Sequence, residues 1–175
     1  MTHRGLTAYK VLLALLALLA LAPTSLMAAA PTLPGAGFEV EGYQLQLRPD
    51  LSTTALSGVQ RIRLRSTSDH LTQLTFSPNA LQILSAELNG QPIAVTSTTD
   101  GITFALPSAL AKGARASLAF KIVGVPAQGV VRAASGFYTS YFACDWMVCL
   151  QDSPGQKASS VSYTHLRAHE TREDL

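Results

Sequence analysis

The chain is 175 residues long, room for one ordinary domain, and its 13 Lys/Arg against 11 Asp/Glu leave a formal charge of +2. That balance gives no electrostatic footprint for nucleic acid or for an anionic membrane. Nine Lys/Arg and eight acids fall between Pro31 and Ser160, so the central stretch is close to neutral as well.

The N-terminus reads as a secretory signal over residues 1–28. His3, Arg4 and Lys10 form a basic start, Val11–Ala22 is an unbroken apolar run, and Pro23-Thr24-Ser25 precedes the small residues Ala28-Ala29-Ala30. Twelve apolar residues are too few for a hydrocarbon core, which takes roughly 20. Cleavage after Ala28 or Ala29 is expected, because cleavage after Ala30 would leave Pro31 first; an uncleaved anchor is the alternative. The protein is therefore expected to be exported, periplasmic or secreted, and free of the membrane once the signal is removed. Residues 29–42, with the Pro/Gly-rich PTLPGAG at 31–37, read as a linker.

From there the period is close to 2. Tyr43, Leu45 and Leu47 alternate with Gln44, Gln46 and Arg48, and Pro49-Asp50 ends the strand. Leu56–Arg65 is a second strand, with Val59 out of phase with Ile62 and Leu64, which predicts a bulge after Gly58. Its Arg61, Arg63 and Arg65 alternate with apolar residues, as on the solvent face of a strand. Leu71–Phe76 and Leu81–Leu88 follow, split by Ser77-Pro78-Asn79, with His70 in the polar turn Ser66–His70. Asn89-Gly90 is the strongest hairpin signal, because both residues tolerate the positive φ of a type I′ turn, and Asp100-Gly101 marks another hairpin turn before Ile102. Ile93 and Val95, then Ile102, Phe104 and Leu106, alternate with polar neighbours. Ser108–Lys112 is the one expected helical turn, ended by Gly113. In Ala114–Gly124, Leu118, Phe120 and Ile122 face one way. About eight short strands joined by tight turns predict an all-β antiparallel sandwich or saddle over residues 43–160.

Tyr138, Tyr141, Phe142 and Trp146 form the aromatic cluster of the chain, compatible with core packing or with a cleft wall. Cys144 and Cys149 lie five positions apart. An exported chain permits a disulfide between them, provided the backbone folds back to about 4.4–6.8 Å between Cα atoms. Two cysteines without further ligands do not make a metal site.

From Gly136 the pattern changes to GFYTSYFACDWMVCLQDSPGQKA. Within it, Asp152, Pro154 and Lys157, with Ala158, resemble the D-x-P-x-x-K-A element in the N-terminal domain of aminopeptidase N-like zinc metallopeptidases (gluzincins). Tyr43–Leu51 with Leu56-Ser57-Gly58, then Leu88-Asn89-Gly90, Phe104–Pro107 and Leu118–Gly124, resemble that family's strands in order and spacing. The resemblance spans Tyr43 to Ala158. It implies a β-rich N-terminal domain, incomplete at its C-terminal end, that closes one side of a substrate cleft in whole members. There a catalytic domain carries G-x-M-E-N, which grips the substrate's α-amine, and H-E-x-x-H with a distant Glu for zinc. Neither motif occurs here, so no catalytic or metal-binding residue is assigned, and no cofactor is expected in this chain. Zinc, and peptide substrates, are expected only through the catalytic domain of an intact protein. The family also places a Gln or Glu about a dozen residues before the Asp; Tyr138–Tyr141 stands there without either. Asp152 itself, followed by Pro154-Gly155, suits a turn better than catalysis.

Val161–Leu175 breaks the pattern: two of the four histidines and three of the eleven acids fall in these fifteen residues. The run VSYTHLRAHET resembles the translation of a transposase-type sequencing adaptor, and Asp174-Leu175 continue it in frame after a sample index. Residues 161–175 are therefore expected to be an artefact without order. His169-Glu170 belongs to that run, and Glu173 stands where H-E-x-x-H needs its second His. Outside the tail and the signal only His70 remains, and one imidazole cannot make a catalytic zinc site. Three functions compete: a fragment of an exported zinc aminopeptidase, a free-standing exported β-sandwich binding module, and a non-catalytic scaffold derived from the enzyme.

Overall fold

The computed structural model describes residues 33–50, 52–133 and 136–151, together with the backbone of 159–164. The expected signal at 1–28 and the motif residues Asp152, Pro154 and Lys157 lie outside the described residues. Two sheets, antiparallel except for one edge pairing, carry the core. One, six-stranded, has the order β11-β1-β2-β8-β4-β5, and the other, three-stranded, has the order β3-β7-β6. The strands are β1 (Phe38–Pro49), β2 (Leu56–Ser66), β3 (Leu71–Phe76), β4 (Gln82–Leu88), β5 (Gln91–Pro92), β6 (Val95–Ser97), β7 (Ile102–Leu110), β8 (Arg115–Gly124) and β11 (Ser159–Thr164). Between β8 and β11 come a hairpin, β9 (Val130–Ala133) with β10 (Gly136–Thr139), and one helical turn, α1 (Ala143–Trp146).

The first strand begins at Phe38 and not at Tyr43, so the expected linker at 29–42 loses its last five residues to the sheet. Phe38 and Val40 are buried, but at even positions, whereas Leu45 and Leu47 are buried at odd ones. The phase changes at Glu41, where the register steps from Val40↔Leu64 to Gly42↔Arg63. This is a bulge on β1, and a second register step in the same sheet falls between Ile83 and Ser85 of β4. The bulge expected after Gly58 is absent: β2 pairs without interruption with β8 from Leu56 to Arg65. The odd man out in β2 is Gln60, a polar residue that takes an inward position and is fully buried. Gly58 has a separate reason to be glycine, since a Cβ there would sit 2.2 Å from the Gln46 carbonyl oxygen.

Asn89 and Gly90 adopt φ of 51° and 83°, the left-handed conformations of a tight hairpin. The chain then changes sheets within two residues. The Ile93 N–H donates to Ala86 O in the larger sheet, and the Ala105 N–H donates to Ala94 O in the smaller. The alternation through Ile93 and Val95 therefore does not run along one strand: Ile93 lies between β5 and β6, and Val95 begins β6. The expected helical turn at Ser108–Lys112 is instead the end of β7, whose Leu110 pairs with Leu71. The Gly113 N–H donates to Ser66 O and the Ser66 N–H to Ala114 O, so the end of β2 takes up backbone groups that a helix would have paired internally.

The interior is apolar and continuous across both sheets. Phe38, Phe76, Phe104 and Phe120 run through it as a chain with centroid spacings of 5.2, 5.9 and 5.4 Å. The chain passes from β1 to β3 and β7 and back to β8, so it joins the two sheets. Such tilted and edge-on contacts each add about 0.5–1.5 kcal/mol to the area buried. On the outer face Arg61 and Arg63 are exposed. Arg65 donates to Glu39 at 2.6 Å and Arg115 to Glu41 at 2.9 Å.

Residues 161–164, expected to be without order, form the second part of β11, which lies parallel to β1 from Gly42↔Ser159 to Leu47↔Thr164. The open edge of β1 is satisfied by the backbone of an extended segment, and Val161 and Tyr163 alternate with Ser162 and Thr164 as a strand requires.

Candidate functional site

Between the end of β8 and Gln151 the chain leaves the sandwich and builds a surface feature of its own. The β9–β10 hairpin pairs Val131 with Tyr138 and Val130 with Thr139. It is closed below by the Ser140 N–H, which donates to Gly129 O at 2.8 Å. Gly129 has φ +79°, and a Cβ on it would lie 2.8 Å from both Trp146 Cδ1 and Tyr141 O. No other residue fits that crossing without displacing the helical turn. Phe142, at φ 64°, begins α1 without a side-chain cap.

Cys144 and Cys149 are joined in a disulfide with Cα atoms 5.1 Å apart, and both are buried. Met147 and Val148, inside the closed loop, are buried as well. Three polar side chains from the sandwich tie this loop down. Gln60 Nε2 donates to Val148 O at 2.6 Å while the Val148 N–H donates to Gln60 Oε1 at 2.9 Å. The buried amide therefore pairs with one residue as a neighbouring strand would. Asn79 Nδ2 donates to Cys144 O and Met147 O, and its Oδ1 accepts from the Leu81 N–H. The Ser77 N–H donates to Cys149 O, and Ser77 Oγ accepts from the Gln151 N–H. Burial pushes the Tyr43 phenol above its ordinary pKa, and a hydrogen bond with the Leu150 backbone pulls it part of the way back. Spacing showed the cysteines, but the tethers sit 65 to 88 residues away from the atoms they hold, and Gln60 left only a break in phase.

The aromatic cluster divides. Trp146 packs against the core, while Tyr138, Tyr141 and Phe142 face outward at 56%, 88% and 49% exposure. Among the described residues, no three His, Cys, Asp or Glu side chains stand close enough to hold a metal ion. His70 lies exposed in its turn, its backbone N–H bonded to Ser68 Oγ. The described residues do not fit zinc. What the feature offers chemically is a rigid, disulfide-closed mount for outward aromatic rings.

No protein-family model matches the chain, and no curated protein matches it either. Solved structures do. An M1 zinc metallopeptidase from Deinococcus radiodurans is 25% identical with a TM-score of 0.50, over 55% of this chain and 22% of that one. A mutant of it bound to a Tyr-Ser-Ala substrate gives 24% identity over the same shares, with TM-score 0.50. A two-domain M1 zinc metallopeptidase mutant bound to L-tryptophan reaches a TM-score of 0.51 at 24% identity, over 57% of this chain and 23% of that one. The chain thus spans less than a quarter of the length of these structures. In fold, the described β-domain is that of the N-terminal domain of the M1, aminopeptidase N-like, zinc metallopeptidases.

Proposed function

We propose that this chain is the N-terminal β-domain of an exported zinc metallo-aminopeptidase, and that it is non-catalytic by itself. The observation that carries the reading is the fold likeness to M1 zinc metallopeptidases at 24–25% identity. One of those structures holds a Tyr-Ser-Ala peptide, which makes peptides with a free N-terminus the substrate class for the intact protein. Zinc would be held by residues of a catalytic domain outside this chain. Export is supported by the signal-like residues 1–28 and by the Cys144–Cys149 disulfide, a bond that persists in oxidising compartments. Residues 161–175 are assigned to adaptor sequence on their resemblance to it.

The test is to sequence the source gene past codon 160 from an adaptor-free template and produce the full product. The expected continuation contains G-x-M-E-N and H-E-x-x-H, and the product binds zinc and releases N-terminal residues from peptides. A natural stop shortly after Ala158, or a continuation without either motif, would sink the reading. The outward Tyr138, Tyr141 and Phe142 favour a second one, a free-standing exported binding module, in which these rings form the contact surface. A monomeric, cooperatively folding product ending near Ser160 would establish that instead.

A further inference from the structure

The six-stranded sheet is antiparallel at every described pairing except one, that of β11 with β1. β1 spends one side on β2 along its whole length, and its inward Leu45 and Leu47 are already buried in the core. What the strand has left to offer is its outer edge, a row of backbone donors and acceptors. That edge is bounded. The pairing with β11 starts at Gly42, directly after the bulge at Glu41, and runs to Leu47. Above the bulge, Glu39 and Glu41 are engaged with Arg65 and Arg115, which puts a charged stretch where strand pairing stops. The segment seated on the edge is Ser-Ser-Val-Ser-Tyr-Thr, four of its six residues Ser or Thr, with Val161 and Tyr163 alternating among them. Its backbone is paired with β1 at all six positions.

We propose that the outer edge of β1 from Gly42 to Leu47 is a strand-acceptor site, which takes one extended segment in parallel. It selects that segment by backbone pairing and not by side-chain identity. Residues 159–164 are its occupant in this chain. Strand addition of this kind draws its affinity from main-chain hydrogen bonds, and pockets for alternate side chains would be needed to make it selective. The outer face beside the edge, with Gln44 and Gln46 of β1 next to Val59 and Arg61 of β2, forms only a shallow, open depression. It is no specificity pocket.

Hydrogen exchange on the full chain tests this, read at the alternate amides of Gly42–Leu47 that point away from β2. Three forms are compared: the parent, the double substitution Val161→Pro/Tyr163→Pro, and a form whose residues 159–164 are replaced by an unrelated Thr/Val-rich hexamer. Proline removes the donor and breaks the pairing, so exchange at those amides should rise about tenfold or more. The hexamer form should keep the parent's protection. Adding capped Ser-Ser-Val-Ser-Tyr-Thr peptide at millimolar concentration to the proline form should restore protection. Amides shared by β2 and β8 report whether each variant has folded, and the hexamer form remains decisive if the proline form has not. Unchanged exchange in a folded proline form would overturn the site. Loss of protection in a folded hexamer form would overturn selection by backbone.

Discussion

The sandwich from Phe38 to Gly124 and the loop from Ala143 to Gln151 are held by opposite means. In the sandwich, strands bury Leu, Ile and Phe from both sheets into one apolar interior. The loop contributes Met147, Val148 and the cysteine pair to that interior, with Trp146 and Leu150 packed against it, and Gln60, Asn79, Ser77 and a covalent bond fix its position. Apolar packing tolerates exchange of similar volumes, whereas a buried polar tie fails completely when one partner is removed. The sandwich should therefore lose stability in proportion to volume, and the loop by single atoms.

The largest effect is expected at the centre of the aromatic chain. Phe104 is fully buried and touches both Phe76 and Phe120. Phe104→Ala should cost about 4 kcal/mol, seen as a lower urea midpoint of the whole domain with unchanged slope. Phe104→Leu should cost clearly less, because most of the volume is kept; equal losses would mean that volume does not set the sandwich's stability. Gln60→Leu is the matching break for the loop. It keeps the size of the side chain and removes no apolar contact, yet it leaves Val148 N–H and C=O buried without partners. A loss of about 3 kcal/mol is expected. A neutral or stabilised variant in urea titration would show that the tie is not what holds the loop.

The disulfide separates the two regions more cleanly. Closing so short a loop restricts the unfolded chain by about 2 kcal/mol on the loop-entropy account. Cys144→Ala/Cys149→Ala should lower the melting temperature accordingly, with exchange protection falling first at Met147 and Val148. The amides between β2 and β8 should keep their protection relative to the new global stability. Equal loss in both regions would mean that loop and sandwich unfold as one unit.

What was readable in advance follows the same division. The strand phases of Leu118–Ile122, the left-handed turn at Asn89-Gly90 and the hairpin from β6 to β7 around Asp100-Gly101 are local, carried by residues next to each other, and the structure has them. Phe38–Val40 was read as linker because the bulge at Glu41 inverts the phase, and a bulge is decided by the partner strand. Gln60 broke the period of β2 for a reason located at Val148, so the break was assigned to a bulge that is not there. Ser108–Lys112 has helix-compatible residues, but Ser66 and Leu71 claim that stretch for the sheets. The spacing of Cys144 and Cys149 permitted a bridge without requiring it. The fold back of the chain at Met147 that closes it depends on Gln60, Ser77 and Asn79, all distant in sequence.

The smallest expected effect concerns the turn between β1 and β2, which also meets the β9–β10 hairpin. Asp50 Oδ1 accepts from the Ser52 hydroxyl and N–H, and its Oδ2 accepts from the Thr53 hydroxyl; these bonds hold its carboxyl down at about 2. A carboxyl whose pKa is lower in the folded state contributes stability above its unfolded value, near 3.8, and loses it as pH falls through about 2. In Asp50→Asn that titration is gone. The gap in urea midpoint between parent and variant should be constant from pH 7 to about pH 4 and close by about pH 2. A gap independent of pH would mean that the charge is not what orders the turn. The same turn offers Ser52 O to Arg132 Nη1 at 3.1 Å, the bond that fastens the β9–β10 hairpin to the sandwich. Loosening Asp50 should therefore also raise exchange at Val130–Ala133, a distant readout that a purely local effect on the turn would leave unmoved.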